Sequence, residues 1–346
     1  MTVRRRPDRN EVLSIALVAA GLIAVVLIPF VVTDRYLLRI FTLVGINLIL
    51  VTGLCLLFGY TGQVSLGHAA FAGLGAYGSA YLLLAGWPWL VAVACGVALA
   101  SVGGLLLAMP SLRLKGHYLA MATLGFGEIM FVFFDNAEWF TGGSDGLQGI
   151  PPASLGGLTV TTPEGNFWLV WAFASAALLL VGNVVRLRPG RALRAIHGSE
   201  MGASACGIDT VRLKIQVFVI SAGLAGLAGA LSASYIGSLS PSSFTLHRSV
   251  VYLTMVALGG PGSLAGSAVA TVLLTLLPFA DAVIPGITTS AAATLQDWEP
   301  DIYGLVLILV MLLMPRGISG VLSSAARRIG LGGSAPERPV GEASTP

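Results

Sequence analysis

Charge is scarce in this chain. Only 10% of its 346 residues are Asp, Glu, Lys or Arg, against about a quarter in a soluble domain. No charged residue falls between Arg39 and Arg113, between Lys214 and Arg248, or between Arg248 and Asp281. Such runs exclude a water-facing surface. The three cysteines, Cys55, Cys95 and Cys206, form neither a metal spacing nor a disulfide framework, and read as small apolar residues. The four histidines are scattered. Neither His-x-x-x-His nor His-Glu-x-x-His occurs, which argues against a membrane-embedded enzyme. A Gly-x-x-x-x-Gly-Lys-Ser/Thr phosphate loop is also missing, so any ATP chemistry tied to this chain would reside on another one.

What the sequence has is apolar length. Hydrophobic residues make up 55% of it, and a hydrocarbon core of roughly 30 Å needs about 20 of them per helix. Backbone groups in lipid must be satisfied within the segment, which favours helices. A transmembrane barrel would alternate polar and apolar residues over segments of about ten, whereas these blocks are continuous. Spans are expected at 12–32, 36–58, 64–85, 88–109, 117–134, 166–185 and 215–236. A long block at 249–279 follows, then a last span near 302–318. Arg4, Arg5 and Arg6 precede the first block, whose length exceeds a signal-peptide core and marks an uncleaved span. The fold class is therefore an all-α integral membrane protein, a polytopic bundle of about 8–10 transmembrane segments.

Basic residues orient the bundle. With the N-terminus inside, 16 of the 19 Lys and Arg residues fall on the cytoplasmic side. These include Arg113, Lys115 and the six of the 186–214 loop. The 135–165 loop falls outside and carries Asp135, Glu138, Asp145 and Glu164 without a base; the 280–301 loop is likewise acidic. Both termini are then cytoplasmic: a basic segment at 1–11, the transmembrane domain at 12–320, and a tail at 321–346 expected to be disordered. Parity requires the 249–279 block to enter and leave on one side. Gly259-Gly260-Pro261-Gly262-Ser263 breaks it near the middle, which predicts two short helices, a broken or re-entrant pair of the kind that borders translocation paths. Ala72, Ala76 and Ala80, and Ala222, Gly226, Ala230 and Ser234, repeat every four residues and predict close helix packing.

Within the basic loop, Ala192, Ala195, Ile196 and Ala203 share one helical face, with Arg191, Arg194 and Glu200 elsewhere. A short helix of this kind suits a groove on a cytoplasmic partner. Glu200, Ala203 and Gly207 resemble the Glu-Ala-Ala…Gly loop of bacterial ABC importer permeases, with a spacing one residue longer and without the Ile-x-Leu-Pro ending. Further segments are more specific. The run Gly59-Tyr60-Thr61-Gly62-Gln63-Val64-Ser65-Leu66-Gly67-His68-Ala69-Ala70-Phe71 resembles the signature of branched-chain amino acid permeases. Leu112 to Ala120, Thr123 to Ile129, Thr141 to Leu147 with Ile150-Pro151, Leu258-Gly259-Gly260 and Pro315 to Ile318 resemble the LivM-type subunit. The resemblance covers about 36–320.

It implies a non-enzymatic transport subunit of the bacterial cytoplasmic (inner) membrane. It also implies a second homologous permease subunit, two cytoplasmic ATPase subunits that hold ATP and Mg, and a periplasmic amino-acid-binding protein. No cofactor is expected on this chain, and no nucleic acid. The implied task is import of branched-chain or related amino acids by alternating access. Alternatives are urea, short amides or other amino acids on the same architecture, or an ion-coupled secondary carrier.

Arg191, Arg194, Glu200, Ala203 and Gly207 are the candidates for contact with the ATPase. Gln63, Ser65, His68, Glu128, Gly259 and Gly260 are those for the translocation path. Glu128 is the one charge deep within a span, which in lipid is expensive. It either meets the substrate or bonds a neighbouring helix through His68 or a hydroxyl. His68 reads as a hydrogen-bonded helix residue rather than a proton carrier. Gln63 and Ser65 precede a helix start whose N–H groups either meet a carboxylate or close a tight turn. The acidic 135–165 loop is a landing surface for a binding protein or simply a solvated face.

Overall fold

The computed structural model describes residues 34–111 and 117–279, together with positions 303–305, 308, 309, 312, 317 and 318. The expected first span, the 280–301 loop, most of the last span and both terminal segments lie outside the described residues.

The first helix, α1 (Arg35–Leu54), is capped by the Asp34 carboxylate on the Tyr36 N–H and runs into a π-helical turn, Cys55–Gly59. An extended segment leads to α2 (His68–Leu84), followed by α3 (Trp89–Ser111), α4 (His117–Asn136) and a short α5 (Glu138–Thr141). Strands β1 (Leu147–Gln148), β2 (Ser154–Leu155) and β3 (Leu158–Thr159) occupy the next loop. Thr162 caps α6 (Pro163–Arg186), with Pro163 in its first turn. Two short helices, α7 (Arg188–Gly198) and α8 (Glu200–Ala205), precede the long α9 (Thr210–Ile236). After β4 (Ser238–Leu239) come α10 (Leu246–Gly259) and α11 (Leu264–Leu276).

The 249–279 block is broken where the glycines predicted. Gly260, at φ 99°, ends α10, and the Ser263 hydroxyl caps α11 by accepting from the Gly266 N–H at 3.1 Å. Helices of 14 and 13 residues are about 20 Å long, short of a full crossing. They pack on each other as a hairpin, and Gly259 lies against the backbone of Gly266 and Ser267. The expected 64–85 span begins only at His68, because residues 62–67 are not helical.

Helix α9 is the axis of the bundle and packs against α1, α2 and α3. The small-residue stripes account for this. Gly229 of α9 meets the Ala72 carbonyl, Gly75 meets the backbone of Gly226, and Gly104 of α3 lies against Ala222. Lipid supplies no hydrophobic drive between helices, so dispersion contacts at short range and a few polar bonds must hold them. Trp89 Nε1 donates to Ser234 Oγ at 2.9 Å, and Trp171 Nε1 donates to the Phe41 carbonyl at 3.1 Å. Strand β1 pairs antiparallel with β4, Leu147 opposite Leu239, and ties the acidic loop to the C-terminal end of α9. The basic helices α7 and α8 precede its N-terminal end. Twenty-seven residues of α9, about 40 Å, therefore separate the acidic and basic ends of the bundle.

Candidate coupling and gate site

The segment between the π turn and α2 lies where helices meet. Gln63, Ser65 and His68 are all buried, His68 completely. The Ser221 hydroxyl donates to the Gly53 carbonyl at 2.6 Å, and its oxygen lies 3.0 Å from His68 Nε2. Nε2 therefore carries the proton, and Nδ1 accepts from the Ser65 hydroxyl at 3.3 Å. One neutral imidazole thus joins α1, α2 and α9, as the hydrogen-bonded reading of His68 anticipates. Ser221→Ala leaves that ring N–H without its acceptor, at an expected cost of about 1–3 kcal/mol. The thermal unfolding midpoint of the detergent-purified chain should fall; an unchanged midpoint would mean the bridge contributes nothing.

Two of the N–H groups at the start of α2, those of Ala69 and Ala70, already have acceptors. Ala69 N–H donates to Ser249 Oγ of α10 at 3.0 Å, and Ala70 N–H donates to the Gly67 carbonyl at 3.1 Å. Leu66 N–H donates to Thr123 Oγ1 of α4 at 3.0 Å. The Thr61 hydroxyl donates to the Leu57 carbonyl at 2.6 Å and lies 3.2 Å from Gln63 Oε1. The geometry is that of a tight turn whose polar groups are satisfied from within.

This turn also touches both of the segments that the sequence singles out, the basic loop and the broken block. A methyl group on Gly59 would lie 2.5 Å from the Gly262 backbone nitrogen, so the π turn abuts the break in the α10–α11 hairpin. Ser267 Oγ donates to Cys55 Sγ at 3.4 Å beside it, and Gly317 lies against the Gly260 backbone. On the other side, a methyl group on Gly62, which has φ 71°, would lie 3.1 Å from Nδ1 of His197 at the end of α7. Residues 59–62 thus bridge α7 and the hairpin break, and Gly259 and Gly260 belong to the same contact region.

Helix α7 is amphipathic. Leu193 and Ile196 are buried, while Arg188, Arg191 and Arg194 are exposed. Ala195, grouped by spacing on one face with Ile196, is exposed, whereas Ile196 is buried together with Leu193. Arg194 Nη2 donates to the Val185 carbonyl at 3.3 Å and so caps the last turn of α6. The Ser199 hydroxyl caps α8 by accepting from Gly202 N–H at 3.1 Å. Glu200 is ion-paired with Lys214 of α9 at 2.7 Å, and Ala203 is buried. Gly207, at φ 80°, closes α8 in the left-handed conformation. These residues fix the posture of the loop. The side chain offered outward is Met201, 85% exposed, which residue spacing did not single out although it lies beside Glu200.

Glu128 stands apart. It is exposed on α4, and its neighbours on that face, Tyr118, Met121, Ile129 and Val132, are exposed as well. The expected partner His68 is occupied by Ser65 and Ser221. Gly127, the adjacent residue, packs toward Gly67, so α4 crosses the turn with the carboxylate directed away from it. At the acidic end, Glu138, Asp145, Glu164 and Trp139 are exposed. Among the described residues no group of His, Cys, Asp and Glu is placed to hold a metal ion.

Among the described residues, five long apolar helices, the 17-residue α2 and a broken pair around a glycine-lined contact define a polytopic membrane permease bundle. The chain belongs to the branched-chain amino acid transport system permease component family, whose model matches residues 36–315. It is 32% identical to the high-affinity branched-chain amino acid transport system permease protein LivM of Escherichia coli, over 90% of this chain and 76% of that one. It is also 32% identical to the LivM protein of Salmonella typhimurium, over 86% and 73%. The LivH permease protein of Salmonella typhimurium is 30% identical over 54% of this chain and 53% of its own. No solved structure matches.

Proposed function

We propose that this chain is one permease subunit of an ATP-driven importer of branched-chain amino acids, working by alternating access in the cytoplasmic membrane. The observation that carries the reading is the chain of contacts from α7 through Gly62 and Gly59 to the hairpin break at Gly262. An exposed cytoplasmic helix pair is thereby joined to irregular backbone inside the bundle. Irregular backbone at that depth is tolerated where protein buries it or where it borders a path.

ATP binding draws two ATPase subunits together and displaces α7 and α8 on each permease. Such a displacement shifts an equilibrium only if the loop contacts the ATPase differently in the two states. The exposed Met201 and the arginines of α7 provide a surface for this. Rigid ties, the Glu200–Lys214 ion pair and the Arg194 cap on α6, carry the motion into α9 and α6 instead of dissipating it in the loop. The Gly59–Gly262 contact then opens or closes. A carboxylate at the centre of a lipid-facing helix costs about 2.5–3.5 kcal/mol on insertion scales. The α4 face bearing Glu128 is therefore the one against which a second, homologous permease subunit is seated. The acidic end receives a periplasmic amino-acid-binding protein.

The test is reconstitution of the chain with a second permease and the ATPase subunits in liposomes, with binding protein added. Leucine uptake is expected to require ATP and both permeases. Uptake by this chain alone, driven by an ion gradient, would overturn the reading and favour a secondary carrier.

A further inference from the structure

The connection from β4 to α10 is a second place where irregular backbone enters the bundle. Strand β4 is paired with β1 at the acidic end. Phe244 follows it closely, yet meets α2 near the middle of that helix, at Gly73 and Tyr77. Between them Pro241–Phe244 form a 3-10 turn, flanked by Ser240 and Thr245 in extended conformation. Neither flanking hydroxyl caps the helical turn that follows it; Ser240 Oγ lies 2.9 Å from Ser242 Oγ instead. Pro241 and Phe244 are buried, whereas Ser242 and Ser243 are exposed. The turn is thus anchored in the bundle by two apolar side chains.

Phe244 fills a socket formed by α2 and α4. Glycine at 73 makes the room: a methyl group there would lie 3.1 Å from Phe244 Cγ and would run into the Phe134 ring. The Phe244 centroid lies 5.7 Å from that of Tyr77 and 6.1 Å from that of Phe134, both T-shaped, and Tyr77 and Phe134 are 5.0 Å apart. Tyr77 is wholly buried here. Among the described residues its hydroxyl is the one buried side-chain nitrogen or oxygen without a hydrogen-bond partner. A fold rarely leaves such a group, because the hydration it has lost is not repaid.

Phe244 also lines a cavity of about 490 Å³ that lies between α1, α9, α10 and α11, with Ala72 of α2, and with Asp145 and Gln148 beside the β1–β4 pair. Nine of the lining side chains carry a hydroxyl or an amide, Asn47, Ser232, Ser243 and Thr275 among them. A lining so rich in hydrogen-bonding groups suits water or the polar end of a solute. Tyr77 does not line it; its ring neighbour Phe244 does. Helix α10 begins just after Phe244 and ends at Gly259, beside the Gly260–Gly262 break that abuts Gly59. Its 14 residues make a rod of about 21 Å with irregular backbone at both ends, and such an element can tilt as a unit on its flanking residues.

We propose that Phe244 is an outer plug: when α10 tilts and the turn hinges at Ser240 and Thr245, the ring leaves its socket and the Tyr77 hydroxyl joins the hydrogen-bonding lining of the cavity. The inference rests on the importer reading above and adds its outer half. Plug and Gly59–Gly262 contact are the two ends of one helix, both closed in this structure. The hydroxyl without a partner belongs to the open conformation, where water or the solute's polar end supplies one. Its cost in the closed conformation keeps the two conformations close in energy, which a switching element requires.

The experiment uses the complete complex reconstituted in liposomes, with p-azidophenylalanine in place of Phe244 in a variant that retains ATP-driven leucine uptake. Illumination without nucleotide is expected to cross-link position 244 to peptides of α2 and α4. In the complex held with ATP and vanadate, these cross-links should be lost. In a second arm, Tyr77→Phe should leave the thermal unfolding midpoint unchanged or raised and co-purification of the ATPase subunits intact, while uptake slows about ten-fold. A tyrosine that merely packs would leave uptake unaltered, and one whose hydroxyl is satisfied in the closed conformation would lose stability; either result would overturn the role of Tyr77. Cross-links that persist with ATP and vanadate would overturn the plug and leave the importer reading standing. Absence of ATP-driven uptake in the unmodified complex would remove the importer reading and the plug with it.

Discussion

Replacing Met201 by Glu is expected to abolish co-purification of the ATPase subunits with this chain while leaving the chain's own thermal unfolding midpoint unchanged. The argument is geometric. Met201 projects from α8 with 85% of its surface exposed, so the substitution removes almost no contact within the chain. Any loss must then be a loss to a partner. A flexible thioether on an exposed helix suits an adaptable groove. A carboxylate in a desolvated groove finds no partner, and central interface positions are commonly worth about 2 kcal/mol or more, roughly a thirty-fold loss of affinity. Glu200→Arg and Gly207→Arg address the same loop less cleanly. The first breaks the ion pair to Lys214, and the second forces a side chain onto a backbone at φ 80°. Both therefore disturb the loop whether or not an ATPase binds there. Undiminished co-purification of Met201→Glu would show that α8 is not the docking surface.

Gly229→Leu is expected to prevent accumulation of folded protein. A side chain at 229 would enter the Ala72 carbonyl of α2, and backbone cannot swing aside as a flexible side chain does. Relief requires the two helices to separate along their crossing, which also breaks the neighbouring approach of Gly75 to Gly226. Overpacking costs about 1–3 kcal/mol where side chains give way; with backbone on the receiving side, about 3 kcal/mol or more is expected, enough to unfold a marginal protein. Gly182→Leu on α6 is the control. Nothing lies within 4 Å of the position a side chain would occupy there, and leucine favours a helix more than glycine does. That variant should be neutral or slightly stabilising. Size-exclusion profiles and thermal unfolding in detergent distinguish the two. Equal behaviour of the pair would remove α9 from its assigned place at the axis.

These expectations differ in how much of them sequence alone could supply. Close packing through the small-residue faces of α2 and of α9 was legible, because small residues every four positions let helix backbones approach; that these two faces meet each other came only with the fold. The break in the 249–279 block was legible for a local reason: four of the residues at 259–263 are glycine or proline, and neither sustains a helix in that setting. Met201 was not legible. An exposed methionine and a buried one look alike in a sequence, and only the rotation of α8 set by the Ser199 cap and the Glu200–Lys214 pair decides which it is. Ala195 parts from Ile196, with which spacing grouped it, for a similar reason, since α7 is rotated to bury Leu193 and Ile196.

The polar residues divide along the same line. Composition and charge pattern by themselves determined the membrane class, the approximate positions of the long helices among the described residues, the separation of the acidic 135–165 loop from the basic 186–214 loop and the site of the broken helix. Each of these follows from local transfer energetics or backbone preference. Tertiary structure decided which polar groups meet. Ser221, 153 residues from His68 in the chain, supplies its acceptor, Ser249 caps α2 across 180 residues, and Glu128 turns outward while its neighbour Gly127 packs inward. The cavity between α1, α9, α10 and α11 likewise exists only once these helices are assembled, with Asp145 delivered to it by the β1–β4 pairing. Partners so distant in the chain leave no spacing signal, because their meeting depends on the rotation and depth of whole helices, which are set by all of their contacts at once.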